Sequence, residues 1–250
     1  MYEQEIDSLH QELNALPPLT KGSEEHLKSD FAISFAYNSN AIEGSNLTEH
    51  ETYLILNDGM SIADKPLKYQ MDAFGHKNAF DFAFERAAQG AALDETLIKD
   101  IHARILRSLP DAAGVYRDIP CRIAGSDAAF SPPAEILSEM RHLINEYEGA
   151  MQRYHISRRI AVFHLRFVTV HPFVDGNGRT GRLLMNFDLL KHGFPPIDIK
   201  LRDRARYYDC IRAYDRDGDD LSLTRLVQEY LKDALLERVA LTKTAALMHR

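Results

Sequence analysis

A polar dodecapeptide, His171-Pro172-Phe173-Val174-Asp175-Gly176-Asn177-Gly178-Arg179-Thr180-Gly181-Arg182, lies between two apolar stretches, Ile160 to Val170 before it and Leu183 to Leu190 after it. The flanks read as buried helices and the polar segment as the loop between them. Loops placed by rigid helices are where binding and catalytic groups concentrate.

The loop carries its own chemistry. His171 precedes Pro172, which disfavours the helical region for His171 and ends the preceding helix there. Gly176, Asn177 and Gly178 tolerate positive φ and lead into a helix whose first N–H groups lack intrahelical partners, which makes an anion-binding nest. Arg179 and Arg182 are spaced i, i+3, so both forked guanidinium groups can face an anion at that nest. Asp175 is the loop's one carboxylate, and one carboxylate plus substrate phosphates is a common way to hold Mg²⁺. A histidine beside such a cluster can take a proton from an attacking hydroxyl. Singly, each of these residues has a structural explanation; together within one loop they point to function.

The rest of the chain reads as helices. Ile6, Leu9, Leu13 and Leu16 share a face before Pro17-Pro18. A second helix is expected after Ser23, running to Glu43 before Gly44; Ser39 and Glu43 share a face, and an acid in the last turn opposes the helix dipole. Thr48 to Glu51 is a capping box closed by Asp58-Gly59. A fourth helix spans about Pro66 to Ala88 with Tyr69, Phe74, Phe80, Phe82 and Phe84 as core, and Asp94 caps a fifth through Leu106. Residues 114–133 suggest a two-stranded hairpin turning at Gly125-Ser126-Asp127. Ser131 is expected to cap a helix to about Met151, and helices follow over Ser157 to Val170, Gly178 to His192, Arg204 to Arg216, and from Ser222 onward. The expected architecture is all-α with one small β-hairpin.

Composition narrows the partners. A net charge of -7 argues against general nucleic-acid binding. The stretch from Arg153 to Arg182 nevertheless holds six arginines and one acid, Asp175, which suits a small anion such as a nucleotide. Two cysteines, Cys121 and Cys210, stand far apart and give no disulfide framework. No apolar run reaches the ~20 residues of a membrane span, and the first residues lack a signal-peptide pattern. A cytoplasmic protein without membrane or nucleic-acid partners is the expectation. The amphipathic first helix offers a surface for a homodimer.

His171-Pro172-Phe173-x-Asp175-Gly176-Asn177-Gly178-Arg179-x-x-Arg182 resembles the signature of the Fic (Fido) family, most members of which transfer AMP from ATP to hydroxyl side chains of proteins. The resemblance implies a Fic-type helical core and a protein adenylyltransferase, with His171 deprotonating a Ser, Thr or Tyr of a target protein or of the enzyme itself. It assigns Asp175 to Mg²⁺ (or Mn²⁺), Asn177 and the backbone of Gly176 and Gly178 to the inner phosphates, and Arg179 and Arg182 to the outer ones. Ser39-Asn40-Ala41-Ile42-Glu43-Gly44 looks like the family's inhibitory motif, with Glu43 pairing Arg182. Gly114 to Arg117 through Pro133 looks like its flap, and Tyr207-Tyr208 like the tyrosines beside adenine. Asp215 stands about where one relative has an adenine-contacting Asn. The implied organisation is an N-terminal helical region over 1–90 with the inhibitory helix at about 23–44, a Fic core over 91–232 and a C-terminal helical tail over 233–250.

Other functions fit the same residues. Glu43 could activate water to remove AMP from a modified target, making the protein a de-AMPylase or phosphodiesterase. A metal phosphohydrolase would need a second metal cluster, for which His155 and His164 lack acidic company. A non-enzymatic regulatory Fic module would carry a DNA-binding winged helix, for which the residues after Leu231 are too few.

Overall fold

The computed structural model describes residues 2–121 and 130–248, and all regular structure among them is helical. The ten α-helices are α1 Glu3–Ala15, α2 Lys21–Ile42, α3 Glu49–Asp58, α4 Leu67–Ala88, α5 Glu95–Ile105, α6 Pro133–Glu148, α7 Ile156–Val170, α8 Asn177–Lys191, α9 Arg204–Asp217 and α10 Leu221–Met248. The all-α expectation holds. The turn and inner halves of the expected hairpin fall in residues 122–129, outside the described residues, and its flanks 114–121 and 130–132 form no strand.

Local chemistry sets most boundaries. Thr48 and Glu51 form the reciprocal capping box of α3, and left-handed Gly59 ends that helix. Asp94 accepts the Leu97 N–H to open α5. Helix α2 begins earlier than the acid-rich turn after Ser23 suggested, because Thr20 accepts the Ser23 N–H. Helix α6 begins with Pro132 at the cap position and no side-chain cap, while Ser131 bonds Glu139 instead. It ends at Glu148, and a short 3-10 turn, Ala150–Arg153, follows it. His155 caps α7 through its ring nitrogen.

The centre of the fold is α8, buried on almost every face. Its Leu183, Leu184 and Phe187 join Phe163, Phe167 and Phe173 with the apolar faces of α4, α5 and α6 in one core. On the other side Met185 and Leu189 join Ile160 and Leu165 of α7 with the α10 residues Leu223, Leu226, Val227 and Leu231. Each such fully buried side chain contributes roughly 1.5–3 kcal/mol. Phe74, expected in the core, is 42% exposed on the outer face of α4.

Two glycines let helices approach until backbones nearly touch. A Cβ on Gly75 of α4 would lie 2.6 Å from the Arg104 carbonyl oxygen and 2.7 Å from that of Ile105 at the end of α5. A Cβ on Gly181 of α8 would lie 2.5 Å from His164 Nδ1 on α7. The first contact draws α4 against the helices beneath the polar loop, and the second seats α7 against the first turn of α8.

Candidate active site

The chain leaves α7 at His171, whose φ of 51° and ψ of 59° make it the one non-glycine residue with positive φ among the described residues. Pro172 excludes the helical conformation as expected, and the left-handed turn sends the loop back over the end of α7. His171 Nδ1 lies 3.3 Å from the Val168 carbonyl. A carbonyl only accepts, so Nδ1 carries the proton and the Nε2 lone pair is left for chemistry. The ring stacks on Phe130 at 4.1 Å. Burial above all, with the nearby Arg117 cation, pulls its pKa down to about 4, so the imidazole is neutral at pH 7.

The loop is closed by Asn177. Its Oδ1 accepts the Phe173 N–H at 3.0 Å and its Nδ2 donates to the Phe173 carbonyl at 2.8 Å. The side chain is therefore committed to the loop, and what Asn177 offers an anion is its backbone N–H. Gly176 is the left-handed cap of α8, with φ 78°. Gly178 has negative φ and is needed for space instead, since a Cβ there would overlap the Glu43 carboxylate and sit 3.1 Å from Arg182 Nη1.

Asp175 Oδ1 accepts from the Gly176 N–H at 2.6 Å and from Arg179 Nη2 at 3.1 Å. Among the described residues its Oδ2 has only Lys68, at 3.8 Å. Burial pushes the Asp175 carboxyl up, but Arg179, the Gly176 N–H and Lys68 outweigh it and hold the group below its usual range. Arg179 is clamped further by Asp72 at 3.2 Å and Asn40 Oδ1 at 3.3 Å.

Arg182 is 1% exposed and all its nitrogens are engaged. Its Nε donates to Ser39 Oγ at 3.0 Å, Nη2 to the Ser39 carbonyl and to Glu43 Oε1, both at 2.8 Å, and Nη1 to the Tyr207 hydroxyl at 3.2 Å. Tyr208 reaches the other Glu43 oxygen at 3.3 Å. Glu43 is itself the C-cap of α2, whose last carbonyls are held by Arg204, donating to the Ile42 oxygen at 2.7 Å. An acid at that position stands against the helix dipole, and Arg182 supplies the compensating charge.

A family model described as the Fic/DOC family matches residues 92–189, which contain this loop. The chain is 30% identical over 222 residues to the protein adenylyltransferase fic-1 of Caenorhabditis briggsae, covering 85% of this chain and 42% of that one. It is 30% identical over 229 residues to the protein adenylyltransferase Fic of Nematostella vectensis, covering 89% and 52%. The chain is a member of the Fic/DOC family. It spans about half the length of these curated relatives. Its fold superposes on a Fic-domain signalling protein from Bacteroides thetaiotaomicron with a TM-score of 0.87 at 25% identity, covering 98% of this chain and 97% of that one. Against Fic-1 of Caenorhabditis elegans the TM-score is 0.83 at 25% identity, covering 96% and 70%.

The fold brings the Fic loop together with the distant segments read from the sequence: Ser39 and Glu43 from α2, and Tyr207 and Tyr208 from α9. Tyr207 is 1% exposed, with its hydroxyl between Arg182 and His164 Nε2 at 2.7 Å, so it supports the site from below. His164 Nε2 is bonded to this tyrosine. Asp215 accepts from Thr169 at 2.9 Å at the far end of α9. His155 pairs with Asp7 on α1 at 3.2 Å, apart from the loop.

Four supporting residues escaped the sequence reading. His102 Nδ1 accepts the Gly114 N–H at 2.9 Å, so its Nε2 carries the proton and donates to the Asp175 carbonyl at 2.9 Å, while the ring stacks on Phe173 at 3.6 Å. A histidine on the apolar stripe of α5, beside Ile98, Ile101 and Ile105, was the available signal. Asp72 and Lys68 on α4 gave none, since i, i+4 charge pairs are ordinary on exposed helices. Arg117 is buried and bonds the His171 carbonyl at 2.7 Å.

Proposed function

We propose that this chain is an autoinhibited protein adenylyltransferase that transfers AMP from ATP to the hydroxyl of a Ser, Thr or Tyr on a target protein or on itself. The observation that carries the reading is a neutral His171, its Nε2 without a partner among the described residues, on the same short loop as a helix N-terminus and two phosphate-compatible arginines. The adenylyltransferase names of the curated relatives support it.

In this reaction the acceptor oxygen bonds the α-phosphorus as the bond to the bridging oxygen breaks. Pyrophosphate leaves with the electron pair, and the hydroxyl proton passes to His171 Nε2. Such transfers depend mostly on positioning and electrostatics, because their transition states are loose. The backbone N–H groups at the start of α8 and the guanidinium of Arg179 hold the phosphates, and Arg182 holds the outermost one when free. Tyr207 is buried beneath the site, which leaves Tyr208 as the member of the tyrosine pair to meet the base.

Asp175 fits the single carboxylate of a Mg²⁺–nucleotide site: Oδ1 is fixed by Gly176 and Arg179, and Oδ2 has only a long contact to Lys68. The ion would supply charge neutralisation on the phosphates.

Glu43 is the inhibitory group in this reading and Ser39 its companion. Together they occupy Arg182 and leave no fork for a terminal phosphate, so ATP enters with its α-phosphorus out of line. The division of the chain into an inhibitory N-terminal region, a Fic core and a helical tail follows the same logic. The test is labelling by ATP carrying a radioactive α-phosphate. Glu43→Gly is expected to label itself strongly, wild type weakly and His171→Ala in either background not at all; equal labelling of wild type and Glu43→Gly rejects the inhibitory role, and labelling that survives His171→Ala rejects the transfer mechanism.

A further inference from the structure

The proton acceptor of this site is held by an arginine that no part of the reaction uses. Arg117 lies in the connection between α5 and α6, 4% exposed, with its charge inside the protein and no carboxylate partner among the described residues. A buried guanidinium has to be satisfied by other acceptors, and those among the described residues are all backbone carbonyls. Nε donates to the His171 oxygen at 2.7 Å, Nη1 to the Ile119 oxygen at 2.9 Å, and Nη2 to the Ser131 oxygen at 2.6 Å, with the Val170 oxygen at 3.5 Å. Its own N–H donates to the Pro172 carbonyl at 2.9 Å.

Three consecutive carbonyls, those of residues 170, 171 and 172, thus face one residue. The first belongs to the last turn of α7 and the other two follow it, and a cation at a helix C-terminus is favoured by the dipole as well as by the hydrogen bonds. The residue in the middle is His171, whose left-handed backbone costs an L-residue about 1–2 kcal/mol and persists only where its surroundings fix it. Neither Pro172 nor the Val168 contact does this alone. Pro172 forbids a helical His171 without choosing the left-handed alternative, and the Val168 contact is a long one at 3.3 Å.

We infer that Arg117 is the positioning residue of the proton acceptor: its fork on the carbonyls of residues 170 and 171, with its N–H on that of residue 172, holds the His171 backbone in the left-handed turn that aims Nε2 into the site. The same fork ties residues 119 and 131 to that turn. Three charged groups act on the imidazole: Arg117, Glu43 and Asp175. Removing the first leaves Asp175, and in wild type Glu43 as well, both of which favour the protonated ring.

The inference rests on His171 being the base, and the experiment separates the two claims. Arg117→Gln and Arg117→Lys are made in the Glu43→Gly background, and two quantities are read: self-labelling with α-labelled ATP, and the titration of the His171 imidazole by ¹H–¹⁵N NMR. Lysine keeps the charge and loses the fork. A displacement of the reacting atoms by about 1 Å costs roughly 10²-fold. Both variants are therefore expected to lose labelling rate on that scale while binding a non-hydrolysable ATP analogue as tightly as the parent. The His171 ring resonances are expected to shift in both, and its pKa to rise in Arg117→Gln. Millimolar guanidinium should partly restore labelling to Arg117→Ala. If the parent does not label at all, the transfer reading fails, and the NMR titration still decides on Arg117. Unchanged His171 resonances in both folded variants, or an unchanged labelling rate, overturn the positioning role; if Arg117→Gln does not fold, Arg117→Lys carries the test.

Discussion

Glu43 and Arg182 meet at 2.8 Å across 139 positions of sequence, and the arginine in this pair is almost wholly buried while the glutamate is not. Both facts matter. The cation cannot escape to water when the carboxylate leaves, so some other anion has to replace it, and on the proposed reading that anion is a nucleotide phosphate. On that reading the ion pair is a lock whose opening is coupled to what binds in its place.

Removal of the carboxylate should accordingly have two opposite effects. Glu43→Gln is expected to raise self-labelling, by about 5–150-fold if the contact is worth the 1–3 kcal/mol of a typical coupling between sites. It should also lower the melting temperature, because it strips a buried cation of its one anionic partner; the exposure of Glu43 keeps that loss at the low end. ATP should recover more of the melting temperature in the variant than in wild type. Calorimetry with and without nucleotide checks this, and equal recovery in both proteins counts against the lock.

The pH dependence of transfer should be displaced from that of an ordinary histidine. Burial brings His171 down to about 4, so the base stays deprotonated well below 6.5. In Glu43→Gly the labelling rate is expected to hold from pH 7 to about 5 and to fall only as pH approaches 4. A rate already halved near 6.5 would place the titration elsewhere. Folding has to be followed in the same samples, because the next effect acts in the same range.

Stability should fall with acid over the same interval. His102 and His171 lie at about 4 and His164 at about 3, in each case chiefly through burial, and His76, wholly enclosed, is lowered as well. Their pKa values in the unfolded chain are near 6.5. Below 6.5 the unfolded chain binds protons that the folded chain refuses, so stability is flat on this account above 6.5 and declines from there towards 4. Each such proton contributes up to about 1.4 kcal/mol per pH unit. Asp198, raised by burial despite Lys200, acts in the opposite sense at lower pH but is a single group. Urea midpoints at pH 7, 6, 5 and 4.5 should show a slope of more than one proton, and His164→Phe, which also loses the bond to Tyr207, should flatten it.

The metal assignment has a separate consequence. Chelation of divalent cations is expected to reduce labelling by Glu43→Gly to background. Asp175→Asn should shift the Mg²⁺ dependence to higher concentration and lower the His171 pKa, since it removes a carboxylate that favours the protonated ring. The loop should keep its shape, because the carbonyl of residue 175, and not its carboxylate, is held by His102. A Mg²⁺ dependence unchanged by Asp175→Asn would remove Asp175 from that role.

The residues that could be read from the sequence are those whose local chemistry is self-contained. The loop from His171 to Arg182, the capping box at Thr48 and the glycine stops are complete within a few positions, and each appears where its chemistry requires. Glu43 was legible as an anomaly, an acid where the dipole wants a base. Arg117, His102 and Asp72 were not, because their partners are backbone carbonyls, a backbone N–H and side chains made neighbours only by helix packing. The same reason explains Gly178. The sequence marks it as a residue for positive φ, whereas in the fold its φ is negative and the missing side chain is what admits Glu43 and Arg182.

That difference makes Gly178 a probe of the lock. It lies in the first turn of α8 with helical backbone, where alanine is intrinsically preferred over glycine by up to about 1 kcal/mol. In wild type the added methyl overlaps the Glu43 carboxylate, and such overpacking costs about 1–3 kcal/mol. The clash is with the end of a flexible side chain, so Glu43 should yield and its hold on Arg182 should loosen. Once Glu43 has become glycine the overlap is gone, and only the 3.1 Å approach to Arg182 Nη1 remains. Gly178→Ala is therefore expected to destabilise the wild-type protein and to be neutral or stabilising in the Glu43→Gly background. Four urea denaturation curves, for wild type, each single variant and the double variant, measure the coupling directly, and a value within about 0.3–0.5 kcal/mol of additivity would show that the two residues act independently. In the same proteins, labelling separates the lock from the nucleotide site. A methyl at Gly178 should lower the rate of Glu43→Gly by crowding the phosphates, while in wild type that loss is offset by release of Arg182.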